Sequence, residues 1–409
     1  MNIVLNKSRM NDNWISVGTN VYVFSLFFFL AGLYLMPEYI KTFAGVYVLA
    51  LLFCMVCTMR IEIALTNCAW SLFAGLGLLA CMIHNSGNLM DAVEFVASIL
   101  IGVMFLSVCI SQKARINALY AVFSVGMVVL LGCVLQLVAP ELLVAINRVT
   151  LGESKFAIFS DFYSWGGMVG FSYQTGVTGY YLGVLIGFVV CLLLFDEHLR
   201  RLKKCVLTIA YCGIVMLILL TLKRSVLLLV AVLTYAFLCY KNRKNLRKIV
   251  GMSGLFVLLV VILLCCTDAG KALIKRTLGS NPLSGRSEIY AQMIELICEK
   301  PVFGHGFGST LAYIQKFRNG HNIYLQVLME NGIVGFLVLG TVFAYNFALT
   351  YRTLKKHGPG ERCSVVISLY IQLYFLGIGF FGNPLYDVFP LITYMVAVGV
   401  VQIQNTRCA

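Results

Sequence analysis

The chain has 409 residues, 60% of them hydrophobic and only 12% charged, with a mean hydropathy of +0.90. Soluble domains carry about 45–50% apolar and about 25% charged residues, so this composition excludes a soluble globular chain and predicts a polytopic membrane protein. The formal charge of +14 is not read as a nucleic-acid signature, because most of it lies in short loops between apolar runs, where Lys and Arg set orientation.

The N-terminal stretch MNIVLNKSRMNDN is polar and weakly basic. The run from Trp14 to Met36 is too long for a signal-peptide core and lacks a small-residue cleavage site, which predicts a retained span. A helix needs about 20 apolar residues to cross about 30 Å of hydrocarbon. On that basis spans are predicted at 14–36, 39–59, 63–83, 91–110, 116–138, 176–195, 205–222, 225–240, 249–267, 326–350, 364–381 and 386–404. The fold class is an all-α polytopic membrane protein, a single domain over 1–409 with about twelve transmembrane helices. With the N-terminus in the cytoplasm, well over half of the 31 basic residues fall in short cytoplasmic segments, among them Lys113, Arg115, Arg200, Arg201, Lys241 and Arg352. Both termini are then predicted inside.

Fifteen cysteines mostly sit in apolar runs, where Cys behaves as a small hydrophobe. Cys54 and Cys57 form a C-x-x-C, but within a predicted span. The nearly continuous apolar stretch Leu207–Tyr240 would make a helix about 51 Å long, and both of its ends are basic. Two short spans joined by a tight outer hairpin at Lys223 and Arg224 satisfy both facts.

Two outer loops stand out, 139–175 and 268–322; loops of the second size are rarely idle connections. Within the second, Ser284 or Ser287 can cap a helix whose face is Ile289, Met293, Leu296 and Ile297. Pro301, Gly304, Gly306 and Gly308 end it around His305. Arg286 sits at its N-terminal end.

The stretch HNIYLQVLMENGIVG, His321 to Gly335, heads the next apolar run. Residues 322–351 would make about 45 Å of helix, half again what a bilayer core needs. Residues 333–351 alone suffice to span, so 321–332 is predicted to form about three turns of its own, with a kink at Asn331-Gly332. Glu330 lies nine positions from His321, nearly opposite on a helix, which argues against their direct pairing and for a bracing role.

The outer face thus gathers Lys223, Arg224, Arg286, Arg318 and His321 with few carboxylates. No D-x-D pair and no zinc spacing is present, so neither a metal nor a cofactor is predicted. Cations of this kind suit an anionic, phosphate-bearing substrate, and a His among them can act as general base. Each also has a plain structural reading. A His can simply start a helix, Arg224 can snorkel to the interface, and Gln326 and Asn331 can bond between helices.

In order and spacing these residues resemble the O-antigen ligase and polymerase superfamily. LLTLKRSVLLLV resembles its Arg-bearing hairpin. SGRSEIYAQMIELICEKPVFGHGFGS resembles its G-R, amphipathic helix and P-x-x-G-x-G-x-G segment. In HNIYLQVLMENGIVGF, the residues His321, Asn322, Leu325, Gln326, Glu330, Gly332 and Gly335 fall on its H-[NS]-x-x-L-Q-x-x-x-E-x-G-x-x-G signature. The likeness covers residues 215–340, with MVGFSYQTGVTGYYLG, bearing Tyr173 and Gln174, similar to a segment of some polymerases. Lys223 departs from the small residue that many members carry there.

The resemblance implies a metal-independent glycosyltransferase of glycosyltransferase-C-like form in the bacterial cytoplasmic membrane, with its active site on the outer face. Its donor would be a glycan on undecaprenyl diphosphate. His321, Arg224 and Arg286 would be catalytic. Lys223, Arg318, Asn322, Gln326, Tyr173, Gln174 and His305 would bind substrate, and Glu330, Gly332 and Gly335 would be structural. The polymerase, extending the next lipid-linked repeat unit, is the first expectation. The ligase, with lipid A core as acceptor, is the second. A flippase-type transporter and a scaffold for glycan assembly are the readings from other classes. Beyond donor, acceptor and bilayer, a chain-length regulator and a flippase are candidate partners, and nucleic acid is not expected.

Overall fold

The structure is a computed structural model that describes residues 3–5, 12–37, 40–41, 43, 45–51, 61–84, 89–108, 111–266, 271, 274, 286–314, 320–356 and 359–406. The predicted span 39–59 with Cys54 and Cys57 falls largely outside these residues, as do most of 268–285 with Ser284, and Arg318.

A two-stranded antiparallel ribbon pairs β1 (Ile3–Leu5) with β2 (Ile61–Ile63). The other described elements are helices: α1 (Asp12–Leu35), α2 (Leu65–His84), α3 (Leu89–Ser107), α4 (Gln112–Val138), α5 (Pro140–Thr150), α6 (Glu153–Ser164), α7 (Thr175–Phe195), α8 (Arg201–Leu220), α9 (Arg224–Lys241), α10 (Leu246–Cys266), α11 (Arg286–Glu299), α12 (Ser309–Tyr313), α13 (Ile323–Lys356), α14 (Pro359–Ile378) and α15 (Val388–Thr406). Among the described residues seven helices, α2, α3, α4, α7, α8, α9 and α13, are long and apolar enough to cross a bilayer, given the length a hydrocarbon core requires. The chain is a multi-pass helical membrane protein.

Helix α7 is the hub. It packs on α4, α8, α9 and α14, and 78% of its apolar window is buried against 22% for α8 and α9. The latter two keep broad apolar faces turned outward, as lipid-facing helices do. Lipid supplies no hydrophobic drive between helices, so close backbone approach takes its place. Gly183 and Gly187 of α7 provide that approach: a Cβ on Gly183 would lie 2.1 Å from the Tyr374 hydroxyl, and one on Gly187 would lie 2.2 Å from the Tyr370 ring, both tyrosines on α14. Tyr374 and Tyr370 then donate to the carbonyls of Gly179 and Gly183, both at 3.4 Å.

The hairpin expected at Lys223 and Arg224 is present, with Thr221–Lys223 linking α8 to α9. The expected loop 139–175 differs: most of it is helix, α5 starting on Pro140, a position where the missing N–H costs nothing. Gln136 and Asn147 pin the turn that follows α6. Gln136 Oε1 accepts from the N–H groups of Val169 and Gly170, both at 2.9 Å, and Asn147 donates to the Gly170 carbonyl at 2.8 Å. This fixes how the chain passes Tyr173 and Gln174 into α7.

Arg115, read from sequence as an orientation-setting loop charge, is 1% exposed. Its guanidinium donates to the carbonyls of Phe105, Leu106 and Val108 at 2.8–3.1 Å. These end-of-helix oxygens of α3 lack intrahelical partners and attract a cation, which is why the charge is drawn inward.

Candidate functional site

Helix α13 is interrupted where the sequence predicts. Gly332 adopts φ 60°, ψ −167°, a region open to glycine alone. The break frees backbone groups that an intact helix would pair, and each buried one must find a partner. The glycine-rich turn after α11 supplies them. Pro301 and Val302 accept from the N–H groups of Ile333 (2.8 Å) and Val334 (3.2 Å). His305 and Gly306 donate to the carbonyls of Met329 (2.9 Å) and Glu330 (2.7 Å). The turn around His305 therefore stitches α11 to the kink. The apolar face of α11 seats there as expected, Ile289 and Met293 buried with Ile314 and Met329, and Leu296 and Ile297 packed beside them.

Inside the kink, Glu330 is fully buried. Its carboxylate accepts from Thr310 (2.7 Å), Gln326 (3.1 Å) and Tyr386 (2.6 Å). Two hydroxyls and an amide thus hold it, with no Arg among these partners. Gln326 extends the network. Its Oε1 accepts from the N–H of Gly320 at 3.1 Å and from the side chain of Asn383. Asn322 begins α13, its side-chain oxygen accepting from the N–H groups of Tyr324 (3.0 Å) and Leu325 (3.2 Å), an N-cap geometry. His321, just before this cap, has φ 53°.

These segments converge on a cavity of about 360 Å³ at one end of the bundle. Its polar wall holds Lys41, Lys155, Tyr173, Gln174, Lys223, Arg286, His321, Asn383 and Asp387. Among the described residues, the non-glycine positions with positive φ are His321 and Leu222, the latter at 56° immediately before Lys223. Such strain persists only where surrounding structure imposes it, and it concentrates at functional sites.

Of the residues singled out from sequence, His321, Arg286, Lys223, Tyr173 and Gln174 line this cavity together. Arg224 is half-buried at the start of α9 and does not line it. Nor do Asn322 and Gln326, whose side chains make the cap and the network just described, or His305, which is buried with Nε2 against the Leu296 carbonyl at 2.9 Å. Gly332 and Gly335 serve the kink; a Cβ on Gly335 would lie 2.3 Å from that of Asn331. Sequence reasoning missed Lys41, Lys155, Asn383 and Asp387. For the last two a signal existed: GNPLYDVFP puts an amide and a carboxylate between the final two apolar runs, at the end where His321 lies.

The electrostatics are lopsided. Burial lowers the His321 imidazole to about 4, with the charges of Arg286 and then Lys223 acting in the same direction, so it is neutral at pH 7. Burial raises the Asp387 carboxyl to about 6. Arg286 donates to the Phe381 carbonyl at 3.1 Å, and the Lys223 ammonium lies 5.7 Å from the Phe162 ring centre. Among the described residues no three His, Cys, Asp or Glu side chains cluster to hold a metal ion. The arrangement is equipped to hold an anion beside a neutral base.

A helical membrane protein with a cation-lined cavity at one end of its bundle is the class that fold and site define. Within it, residues 209–340 match the O-antigen ligase family model, a match consistent with the O-antigen ligase and polymerase superfamily. The match spans Lys223, Arg286, His321 and the Glu330 kink. No curated protein matches the chain.

Proposed function

We propose that the protein is a glycosyltransferase that moves a glycan from a polyprenyl-diphosphate carrier onto an acceptor hydroxyl at the outer face of the cytoplasmic membrane. The observation that carries this reading is the meeting of Lys223, Arg286 and a neutral His321 in one cavity. In the reaction the acceptor oxygen bonds to the anomeric carbon as the bond from that carbon to the diphosphate oxygen breaks. The leaving diphosphate keeps the bonding electrons, and the acceptor proton goes to a base. Arg286 and Lys223 stabilise the diphosphate as its charge grows. His321 takes the proton; Asp387, with its raised carboxyl, is the competing base. The shorter apolar helices Asn20–Leu33, Arg362–Ile378 and Val388–Gln402 and α10 join the seven longer ones as spans, and with the predicted span 39–59 they make twelve, with both termini cytoplasmic.

The match to the O-antigen ligase family model favours ligation, with lipid A core as acceptor, over polymerisation. Polymerisation stands as the second reading because Tyr173 and Gln174, from the segment that resembles polymerases, line the cavity. Purified protein given defined undecaprenyl-diphosphate glycans, with and without lipid A core, separates the two. Product that requires core supports ligation, and a ladder without core supports polymerisation. No new glycosidic bond under either condition overturns both.

A further inference from the structure

Asn383 and Tyr180 both line the cavity. Each carries a polar atom with no hydrogen-bond partner among the described residues, Oδ1 of Asn383 and the hydroxyl of Tyr180. Both residues are more than nine-tenths buried, at 8% and 6% exposure. A buried polar group left unpaired costs free energy. On the wall of a site, such a group points to a ligand that completes it. The transfer chemistry above uses neither residue.

The sense of the Asn383 amide is dictated from Glu330. A carboxylate only accepts, so Gln326 turns its Nε2 to Glu330, at 3.1 Å. Gln326 Oε1 then faces away, where the Gly320 N–H, which can only donate, meets it at 3.1 Å. Asn383 reaches the same oxygen through Nδ2. Its Oδ1 is therefore presented as an acceptor, which a hydroxyl or an N–H satisfies and a bare phosphate oxygen does not. Its place is equally constrained. Arg286 donates to the carbonyl of Phe381 at 3.1 Å, two positions before Asn383. The cation assigned to the diphosphate and the unpaired acceptor are thus anchored to one loop. A single oxygen joins the first donor sugar to that diphosphate, which brings the sugar beside the loop. Tyr181 and Phe389, stacked with ring centres 3.5 Å apart, add aromatic surface to the wall. A few placed polar groups on a largely apolar wall are what orients a small ligand.

Resting on the transfer reading above, we infer that Asn383 Oδ1 and the Tyr180 hydroxyl bind the sugar joined to the donor diphosphate. Asn383 accepts from a hydroxyl or amide N–H of that sugar, and Tyr180 donates to one of its oxygens. The two contacts select the donor by its first sugar, whereas Arg286 and Lys223 recognise the diphosphate that every such carrier shares. Glu330 thereby orients, through Gln326, a substrate contact that it does not itself make.

Calorimetry of the full chain in detergent reads this without turnover. The probes are farnesyl diphosphate, bare or carrying one sugar: glucose, galactose or the N-acetylamino form of either. For the wild type, at least one sugar is expected to tighten binding about tenfold or more over the bare diphosphate. Asn383→Ala and Tyr180→Phe should each cut that ratio about fivefold, the scale of one hydrogen bond, and move the affinity for the bare diphosphate less than about twofold. Tyr180→Phe deletes only an oxygen without a partner among the described residues, so its unfolding midpoint should equal or exceed that of the wild type. Its result therefore stands even where Asn383→Ala disturbs the loop. No sugar tightening binding to the wild type, or a ratio unchanged in both variants, overturns the inference and leaves water as the partner of both atoms. A ratio that falls in one variant alone overturns the contact assigned to the other residue. In turnover, both variants should raise KM for the donor and leave KM for the acceptor unchanged. A chain that prefers a sugar, loses the preference in both variants and forms no glycosidic bond loses the transfer reading and keeps the subsite. One that transfers with a preference neither variant touches loses the subsite alone.

Discussion

Tyr386 donates its phenolic hydrogen to Glu330 Oε2 at 2.6 Å, across 56 positions of sequence. The other carboxylate oxygen receives Thr310 and Gln326. One buried side chain thereby joins α12, the kink of α13 and the loop before α15. Gln326 carries the connection on to Gly320, the neighbour of His321, and to Asn383. His321 and Asp387, the two candidate bases, sit on loops held by the same carboxylate.

Glu330→Ala should therefore destabilise the fold and misplace both loops. Truncation leaves buried donors on Thr310, Gln326 and Tyr386 without an acceptor, and each such group costs about 1–3 kcal/mol. A loss on the order of 3 kcal/mol is expected, seen as a lower midpoint in thermal unfolding of the detergent-solubilised protein. Glu330→Gln keeps the shape and one acceptor oxygen, and should fall between. Wild-type unfolding in Glu330→Ala would remove the brace.

Replacing His321 should abolish transfer and leave the fold intact, because its side chain lies outside that network. The backbone complicates the choice of substitute, since φ is 53°. Glycine adopts this conformation freely and Asn tolerates it, whereas Ala carries strain of about 1 kcal/mol or more. His321→Gly and His321→Asn should both lower kcat by about 10²–10⁴, the range for losing a general base, with unchanged unfolding midpoints. Full turnover in either variant would dismiss His321 as the base.

The pH profile separates the two candidate bases. A base must be unprotonated, so the acid limb of kcat/KM reports its value in the free enzyme. With His321 at about 4, activity should persist down to roughly that pH and be lost below it. A limb near 6 would instead point to Asp387. Arg286 and Lys223 both push His321 down, so Arg286→Gln should move a His321 limb upward, toward the ordinary value of about 6.5. Donor binding should act in the same direction, because the diphosphate offsets those charges. The limb of kcat should therefore lie above that of kcat/KM.

Much of this was legible in the sequence because it is local. Hydropathy marks the spans, Gly332 after Asn331 marks the kink, and the apolar spacing of Ile289 and Met293 marks the face of α11. The motif around His321 identified that residue and its neighbours as a unit. It did not assign roles within the unit. Asn322 and Gln326 share the motif with His321, yet one caps a helix and the other bridges three segments, since rotation about the helix and the break at Gly332 decide where each side chain points. Lys41 and Lys155 were missed for another reason. They reach the cavity from the stretch after α1 and from α6, far from His321 in sequence, a long-range arrangement that carries no local signature. Arg115 misled in the opposite sense: a basic residue beside an apolar run resembles a topology signal, and nothing nearby reveals three carbonyls waiting for it.

The kink itself can be tested with a matched pair of glycines on α13. A Cβ on Gly332 would lie 2.2 Å from the Val302 carbonyl oxygen and 2.6 Å from the Phe303 nitrogen. Both are backbone atoms held by the stitch between the turn and the helix, so neither can yield cheaply. The conformation at φ 60°, ψ −167° adds strain of about 1–3 kcal/mol for any other residue. Gly340, two turns further along the same helix, has nothing within 4 Å of such a Cβ, and there Ala is the better helix former by about 1 kcal/mol. Gly332→Ala should thus lower the unfolding midpoint and turnover together, because moving the kink shifts Glu330, Gln326 and, through Gly320, His321. Gly340→Ala should leave turnover unchanged and the midpoint equal or higher. Equal behaviour of the two variants would mean that the break in α13 does not position the site.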